Sequence, residues 1–185
     1  MIVVWVFGFG SLTFDGWQSE FGCVGSQRAT LRGYRRTFNK KSVVNWGAKE
    51  NPGITLNLEP FDGASCEGAT FEFPDNDQIP VLLRALRKRE ACDPTDLQVL
   101  LADGRSVDAK VYIYEGVNPL GSTISTAKKA EMILKARGTS GSALDYVRRN
   151  FEGLHDVGLE DPAVTELWQA VQCRAANRME VERRP

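Results

Sequence analysis

The chain has 185 residues, 42% of them hydrophobic and 25% charged, which suits one ordinary folded domain and excludes a disordered chain. Its 23 Lys and Arg stand against 24 Asp and Glu, a net charge of -1, so no global field steers it onto nucleic acid or an anionic membrane. The single histidine, His155, excludes a histidine-rich metal site and leaves any Ser-His or Cys-His nucleophile one residue to draw on.

Residues 2–7 form a short apolar run with no basic region before it and no small-residue cleavage site after it. They predict a buried strand, not a signal peptide. Gly8-Phe9-Gly10-Ser11-Leu12 then reads as a glycine-containing loop. A basic, partly alternating stretch over 29–41 predicts a second strand. The loop after it, 42–53, is marked by Asn45-Trp46-Gly47 and Asn51-Pro52-Gly53. Period-two alternation predicts strands over 54–58 and 68–73.

Over 78–90, Ile79, Leu82, Leu83 and Leu86 share one helical face, with Pro80 tolerated in the first turn. Segments 97–101 and 107–114 flank Asp103-Gly104, a hairpin signal. Ser125 or Thr126 caps a helix that runs to Lys135 and stops at Gly138. Ser142 starts another, with Asp145 three residues on as in a capping box, and Leu144, Val147, Phe151 and Leu154 as its stripe. Asp161-Pro162 opens the last helix, lined by Val164, Leu167, Trp168 and Val171. The charged stretch 174–185 is expected to fray. Strands first and helices later suggest one mixed domain over 1–185 and not a regular βαβ array.

Cys23, Cys66, Cys92 and Cys173 are scattered with no C-x-x-C pair, which favours reduced thiols over a zinc site or a disulfide framework. No apolar run approaches the ~20 residues of a membrane span, so a soluble, cytoplasmic protein is expected.

Among candidate sites, Gly8-Phe9-Gly10 lacks the third glycine of a dinucleotide fingerprint, since Thr13 stands there, and no G-K-[ST] marks a phosphate loop. The loop reads either as a backbone cradle for an oxyanion or carboxylate or as an ordinary tight turn. Ser11 lacks the flanking glycines of a nucleophile elbow. Glu90 follows Leu86 by four positions and Leu83 by seven, near the apolar face and at the helix C-terminus. Burial and the helix dipole both disfavour its ionised form, as suits a group that is base and then acid. The alternative is a structural salt bridge to Arg87, Lys88 or Arg89. Arg32, Arg35, Arg36, Lys40 and Lys41 read mostly as a solvated strand face, with Arg36 left open. His155, beside Asp156 near a helix end, reads as a structural or surface residue.

Together these segments resemble the ChaC-like γ-glutamylcyclotransferases. Trp5-Val6-Phe7-Gly8-Phe9-Gly10-Ser11-Leu12 is similar to that family's F-G-Y-G-S-L signature. Gly33-Tyr34, Arg36 and Phe38 resemble its G-[WY]-x-R-x-F segment, and Pro52-Gly53-Ile54-Thr55-Leu56 its P-G-x-x-L strand. Leu86 with Arg89-Glu90 resembles L-x-x-R-E. Gly138, Ser140-Gly141, Asp145-Tyr146, Leu154, Gly158 and Asp161 follow its C-terminal pattern. The match runs in order over about residues 4–172.

The resemblance implies an α+β fold, a small, mostly antiparallel barrel-like sheet with helices around it. It implies cleavage of a small γ-glutamyl substrate, typically glutathione, into 5-oxoproline and a free amine by attack of the substrate's own α-amino group. Glu90 is then the catalytic proton shuttle, and Phe9, Gly10, Ser11 and Leu12 hold the γ-glutamyl moiety. No metal, cofactor, nucleic acid or membrane partner is implied, and no motif fixes an oligomeric state. Three segments depart from the pattern. Phe9 replaces a tyrosine, Ala91-Cys92-Asp93-Pro94 follows Arg89-Glu90 where a G-Y pair is usual, and Ser42-Val43-Val44-Asn45-Trp46-Gly47 lacks the histidine and arginine of S-x-x-H-R-G. These departures leave open which γ-glutamyl compound is used. They also raise the alternative of a binding module without turnover, against which Glu90 argues.

Overall fold

The computed structural model describes residues 3–121, 123–156 and 158–182, with side chains to residue 178. Met1 and Ile2, which precede or begin the expected first strand, and residues 183–185 of the expected tail lie outside the described residues. The chain divides into two compact units, Met1–Arg36 with Asn57–Val117 and Thr37–Leu56 with Asn118–Pro185.

The first unit is built on β1 (Val3–Gly8), β2 (Gly25–Ser42), β3 (Gly53–Pro74), β4 (Thr95–Leu101) and β5 (Ser106–Val111), with α1 (Ile79–Glu90) between β3 and β4. The far ends of β2 and β3 belong to the second unit. The strands close into a barrel in the order β1-β3-β2-β4-β5. The β1–β3, β2–β4 and β4–β5 pairs are antiparallel, and parallel pairing of β1 with β5 completes the ring. This is the mostly antiparallel barrel with helices that the family resemblance implied. Closure removes the exposed strand edges that would otherwise invite pairing with another chain.

Two features of the strands differ from the periodicity. The alternations at 54–58 and 68–73 belong to one strand, β3. Its middle is exposed and polar and shows no hydrophobic alternation, yet the backbone ladder continues through it. There Arg35 Nε donates to Glu59 Oε1 at 2.7 Å and the guanidinium lies 4.0 Å from the centre of the Phe61 ring. In β2 the buried parity changes, with Ala29 and Leu31 buried before Gly33, and Arg36 and Phe38 after it. Gly33 takes φ of 77°, a conformation open to glycine at little cost. The shift by one residue turns Arg36 inward while Arg35 stays outward.

One strand face carries Trp5, Phe7, Leu31, Val99, Leu101, Ala109 and Val111 into the barrel, all buried. The other face of β1 and β3 carries Val6, Phe71 and Phe73, on which α1 packs Ile79, Leu82 and Leu86. Burying Leu82 and Leu86 stabilises this contact by about 1.5–3 kcal/mol each. Trp17 extends the cluster, its ring centre 5.3 Å from Phe71 and 5.7 Å from Phe73.

The second unit holds α2 (Thr126–Lys135), β6 (Arg137–Gly138), β7 (Gly141–Ser142), α3 (Ala143–Asp156) and α4 (Pro162–Glu182). The caps are those expected. Ser125 Oγ accepts from Lys128 N–H, Ser142 Oγ accepts from Asp145 N–H at 3.0 Å, and Asp161 Oδ1 accepts from Ala163 and Val164 N–H. The Ser142 hydroxyl also donates to Asp145, which holds that carboxyl below its usual range. α4 packs on α2 and α3, and runs on to Glu182 through part of the stretch expected to fray. The 42–47 loop is tied down by Thr139 N–H to Val44 O and Ser140 N–H to Asn45 O, at 2.9 and 2.8 Å. Among the described residues, no helix is long and apolar enough to cross a membrane.

Candidate active site

Strand register gathers the candidate residues at one end of the barrel. Phe7 pairs with Val111 across the parallel β1–β5 contact, and Thr95 pairs with Val111 across β4–β5. The loop leaving β1, the chain leaving β5 and the turn entering β4 therefore emerge together. Glu90, the last residue of α1, leads into that turn.

The loop is shaped by close packing. A Cβ on Gly68 would lie 2.2 Å from the Gly8 carbonyl oxygen, and one on Gly8 would lie 3.0 Å from Leu12 Cβ. Neither position admits a side chain without displacing its neighbours. Ser11–Thr13 form a single 3-10 turn, and the Gly10 carbonyl accepts from Thr13 N–H at 2.9 Å and from its hydroxyl at 2.7 Å. Leu12 is buried and its carbonyl accepts from the Trp17 indole N–H at 2.8 Å. Phe9 is nearly buried, and its carbonyl accepts from Arg36 Nε at 2.8 Å. The Ser11 and Leu12 N–H groups open the turn and have no acceptor within it.

Arg36, left open by the sequence, is thus a loop anchor. Only 5% exposed, it donates to the Phe9 carbonyl and to that of Glu67. A buried guanidinium needs such acceptors, because its fixed fork of donors cannot be left dry. Arg32 is exposed and Arg35 is paired with Glu59, in keeping with a solvated face for those two.

Glu90 lies on the core side of α1, its side chain 20% exposed. Arg89 Nε approaches Glu90 Oε1 at 3.2 Å, so the ion pair weighed as the alternative reading does form. The same guanidinium donates to Ser11 Oγ at 3.0 Å and to Asp15 Oδ2 at 2.5 Å. Salt bridge and site are therefore one arrangement, in which Arg89 joins the carboxyl to the glycine-containing loop. Arg87 turns outward to Asp93 instead. Immediately after Glu90, Ala91 caps α1 in the left-handed region at φ of 59°.

Sequence reasoning missed Asp15 and Tyr112. Asp15 lies beyond the glycine motif and has no periodic signal. Tyr112 follows β5, is 2% exposed, and its hydroxyl has no hydrogen-bond partner among the described residues. Burial, with negative charge from Cys92, Glu90 and Asp93 adding to it, pushes its phenol above the usual range. His155 is exposed at the end of α3, its ring 6.4 Å from that of Phe151, in keeping with a surface role.

Barrel, loop and carboxyl define a fold class, that of the γ-glutamyl cyclotransferases. A yeast γ-glutamyl cyclotransferase specific to glutathione superposes with a TM-score of 0.81 over 92% of this chain and 96% of its own, at 20% identity. The ChaC-like protein family model matches residues 4–174, and the chain belongs to that family. It is 28% identical over 187 residues to γ-glutamylcyclotransferase 2-3 of Arabidopsis thaliana, covering 92% of this chain and 89% of that protein. It is 29% identical over 174 residues to the glutathione-specific γ-glutamylcyclotransferase of Escherichia coli K12, covering 91% of this chain and 73% of that one.

Proposed function

We propose that this chain is a γ-glutamylcyclotransferase that converts glutathione, or a closely related γ-glutamyl compound, to 5-oxoproline and a free amine, cysteinylglycine in the case of glutathione. The observation that carries the reading is the Arg89 bridge, which ties the Glu90 carboxyl to the Ser11 hydroxyl in one constellation. Membership of the ChaC-like family and relatives named for the same reaction support it. The cytoplasm, where glutathione is kept reduced, is the compartment such a substrate fits.

In this reaction the substrate's α-amino nitrogen bonds to its own γ-carbonyl carbon and closes a five-membered ring. The bond from that carbon to the departing amine then breaks. Nucleophile and electrophile share one molecule, so the entropic cost of bringing them together is small. Glu90 takes the proton released by the attacking amine and delivers it to the leaving nitrogen, so the carboxyl ends the cycle as it began. The N–H groups of Gly10, Ser11 and Leu12 face the charge that builds on the carbonyl oxygen. Phe9 adds an apolar wall beside them. Arg89 restrains Glu90 and Ser11 relative to each other.

The test is to incubate purified protein with glutathione and a panel of other γ-glutamyl compounds and to measure 5-oxoproline. Glu90→Gln keeps the side chain's size and removes proton transfer, so the rate should fall at least ~100-fold. No product from any compound, or full activity in the Gln variant, refutes the mechanism.

A further inference from the structure

We propose that Tyr112 is a further catalytic residue, whose hydroxyl donates a hydrogen bond to the substrate's γ-carbonyl oxygen as that oxygen gains negative charge. The inference rests on the cyclotransferase reading above and assigns one more group to it.

Placement comes first. Val111 is the last residue of β5 and pairs with Phe7 in parallel register, so Tyr112 emerges beside Gly8, where the loop leaves the barrel. Its side chain belongs to the buried cluster that includes Leu12 of the loop and Leu86, one turn before Glu90 on α1. The backbone on either side is held. Val111 is in the barrel ladder, and the Asn57 side chain clamps Tyr114, with Nδ2 donating to its carbonyl and Oδ1 accepting its N–H, both at 2.9 Å. A group fixed in this way needs no reorganisation when charge develops.

The state of the hydroxyl points to a use. It is fully buried and has no partner among the described residues. A phenolic hydroxyl keeps its O–H near the ring plane and can point to either side to meet an acceptor within reach. Among the described residues no acceptor is within reach, and Arg89 engages the Glu90 carboxylate through Oε1. A buried hydroxyl without a partner is destabilising, and a functional role is one reason a protein retains such a group. The acceptor that completes this hydroxyl therefore arrives with the substrate.

The chemistry divides cleanly between the two residues. Burial keeps the phenol protonated, so Tyr112 can donate and cannot act as a base. Glu90 moves the proton and Tyr112 holds the oxygen.

The experiment compares wild type, Tyr112→Phe and Glu90→Gln as full chains, measuring 5-oxoproline release from the γ-glutamyl panel and thermal melting. Tyr112→Phe should lower kcat roughly 100-fold, the scale for loss of one oxyanion donor, with KM changed less than about twofold. Its melting temperature should equal or exceed that of wild type, because the variant removes an unpaired hydroxyl and keeps the ring. Wild-type kcat in Tyr112→Phe overturns the assignment. So does a raised KM at unchanged kcat, which marks ground-state binding, or a lowered melting temperature that accounts for the lost activity, which marks a structural role. If wild type itself releases no 5-oxoproline from any compound, the cyclotransferase reading fails and this assignment falls with it.

Discussion

Tyr112 and Tyr146 are buried to nearly the same degree, 2% and 3% exposed, one in each compact unit. Their hydroxyls are treated differently. The Tyr146 hydroxyl accepts from the Leu56 N–H at 3.1 Å, and its ring centre lies 5.2 Å from that of Trp46. The residue below it on α3 is satisfied too, since Asn150 Nδ2 donates to the Tyr146 carbonyl at 2.8 Å. Around Tyr112 the local rules are broken instead. The hydroxyl has no partner among the described residues, Ala91 holds a left-handed conformation, and two carboxylates share the Arg89 guanidinium. One tyrosine completes a hydrogen-bond network. The other lies beside the loop and carboxyl proposed as the active site, the kind of place where local stability is given up for function.

The contrast is open to attack by substitution. The largest effect is expected at Glu90, where Gln should remove at least ~100-fold of the 5-oxoproline rate. Tyr112→Phe follows, with its loss confined to kcat. Arg89→Met should lower kcat/KM roughly tenfold, because Ser11, Asp15 and Glu90 lose their common restraint and small misplacements slow oriented reactions. Partial recovery in Arg89→Lys would separate lost positioning from lost folding.

The remaining effects are on stability. Tyr146→Phe should reverse the behaviour of Tyr112→Phe, destabilising the chain by about 1–3 kcal/mol in urea unfolding by leaving the Leu56 N–H unpaired, with kcat unchanged. If both Phe variants behave alike, the distinction drawn between the tyrosines is wrong. Smallest of all, Ala91→Gly should raise stability by about 1 kcal/mol, since glycine takes the left-handed cap without the Cβ penalty. A melting temperature at or below wild type would show that Ala91 bears no strain.

Much of the fold was legible in the sequence because its signals are local. A helix announces itself through its stripe and cap, as Ser125, Ser142 and Asp161 do. Asp103-Gly104 announced the β4–β5 hairpin. The strand-to-loop pattern at Gly8–Leu12 and the position of Glu90 one turn beyond Leu86 were readable in the same way, and so was the family resemblance they carry. The net charge of -1 and the single histidine also stand unchanged, as composition needs no folding to be read.

Other features depend on which distant residues meet, and tertiary structure decided them. Continuity of β3 through its polar middle rests on ladder bonds that leave no mark in hydrophobic period. Arg36 faces inward where Gly33 shifts the parity of β2, and it finds the Phe9 carbonyl once β1 and β2 stand on either side of β3. Asp15 meets Arg89 across most of the first unit. Tyr112 stands beside Gly8 solely through the parallel register of β1 and β5. Hydrogen bonds and burial depend on distance in space. Sequence reports that distance within a helix turn or a hairpin, and beyond them only the closed sheet sets it.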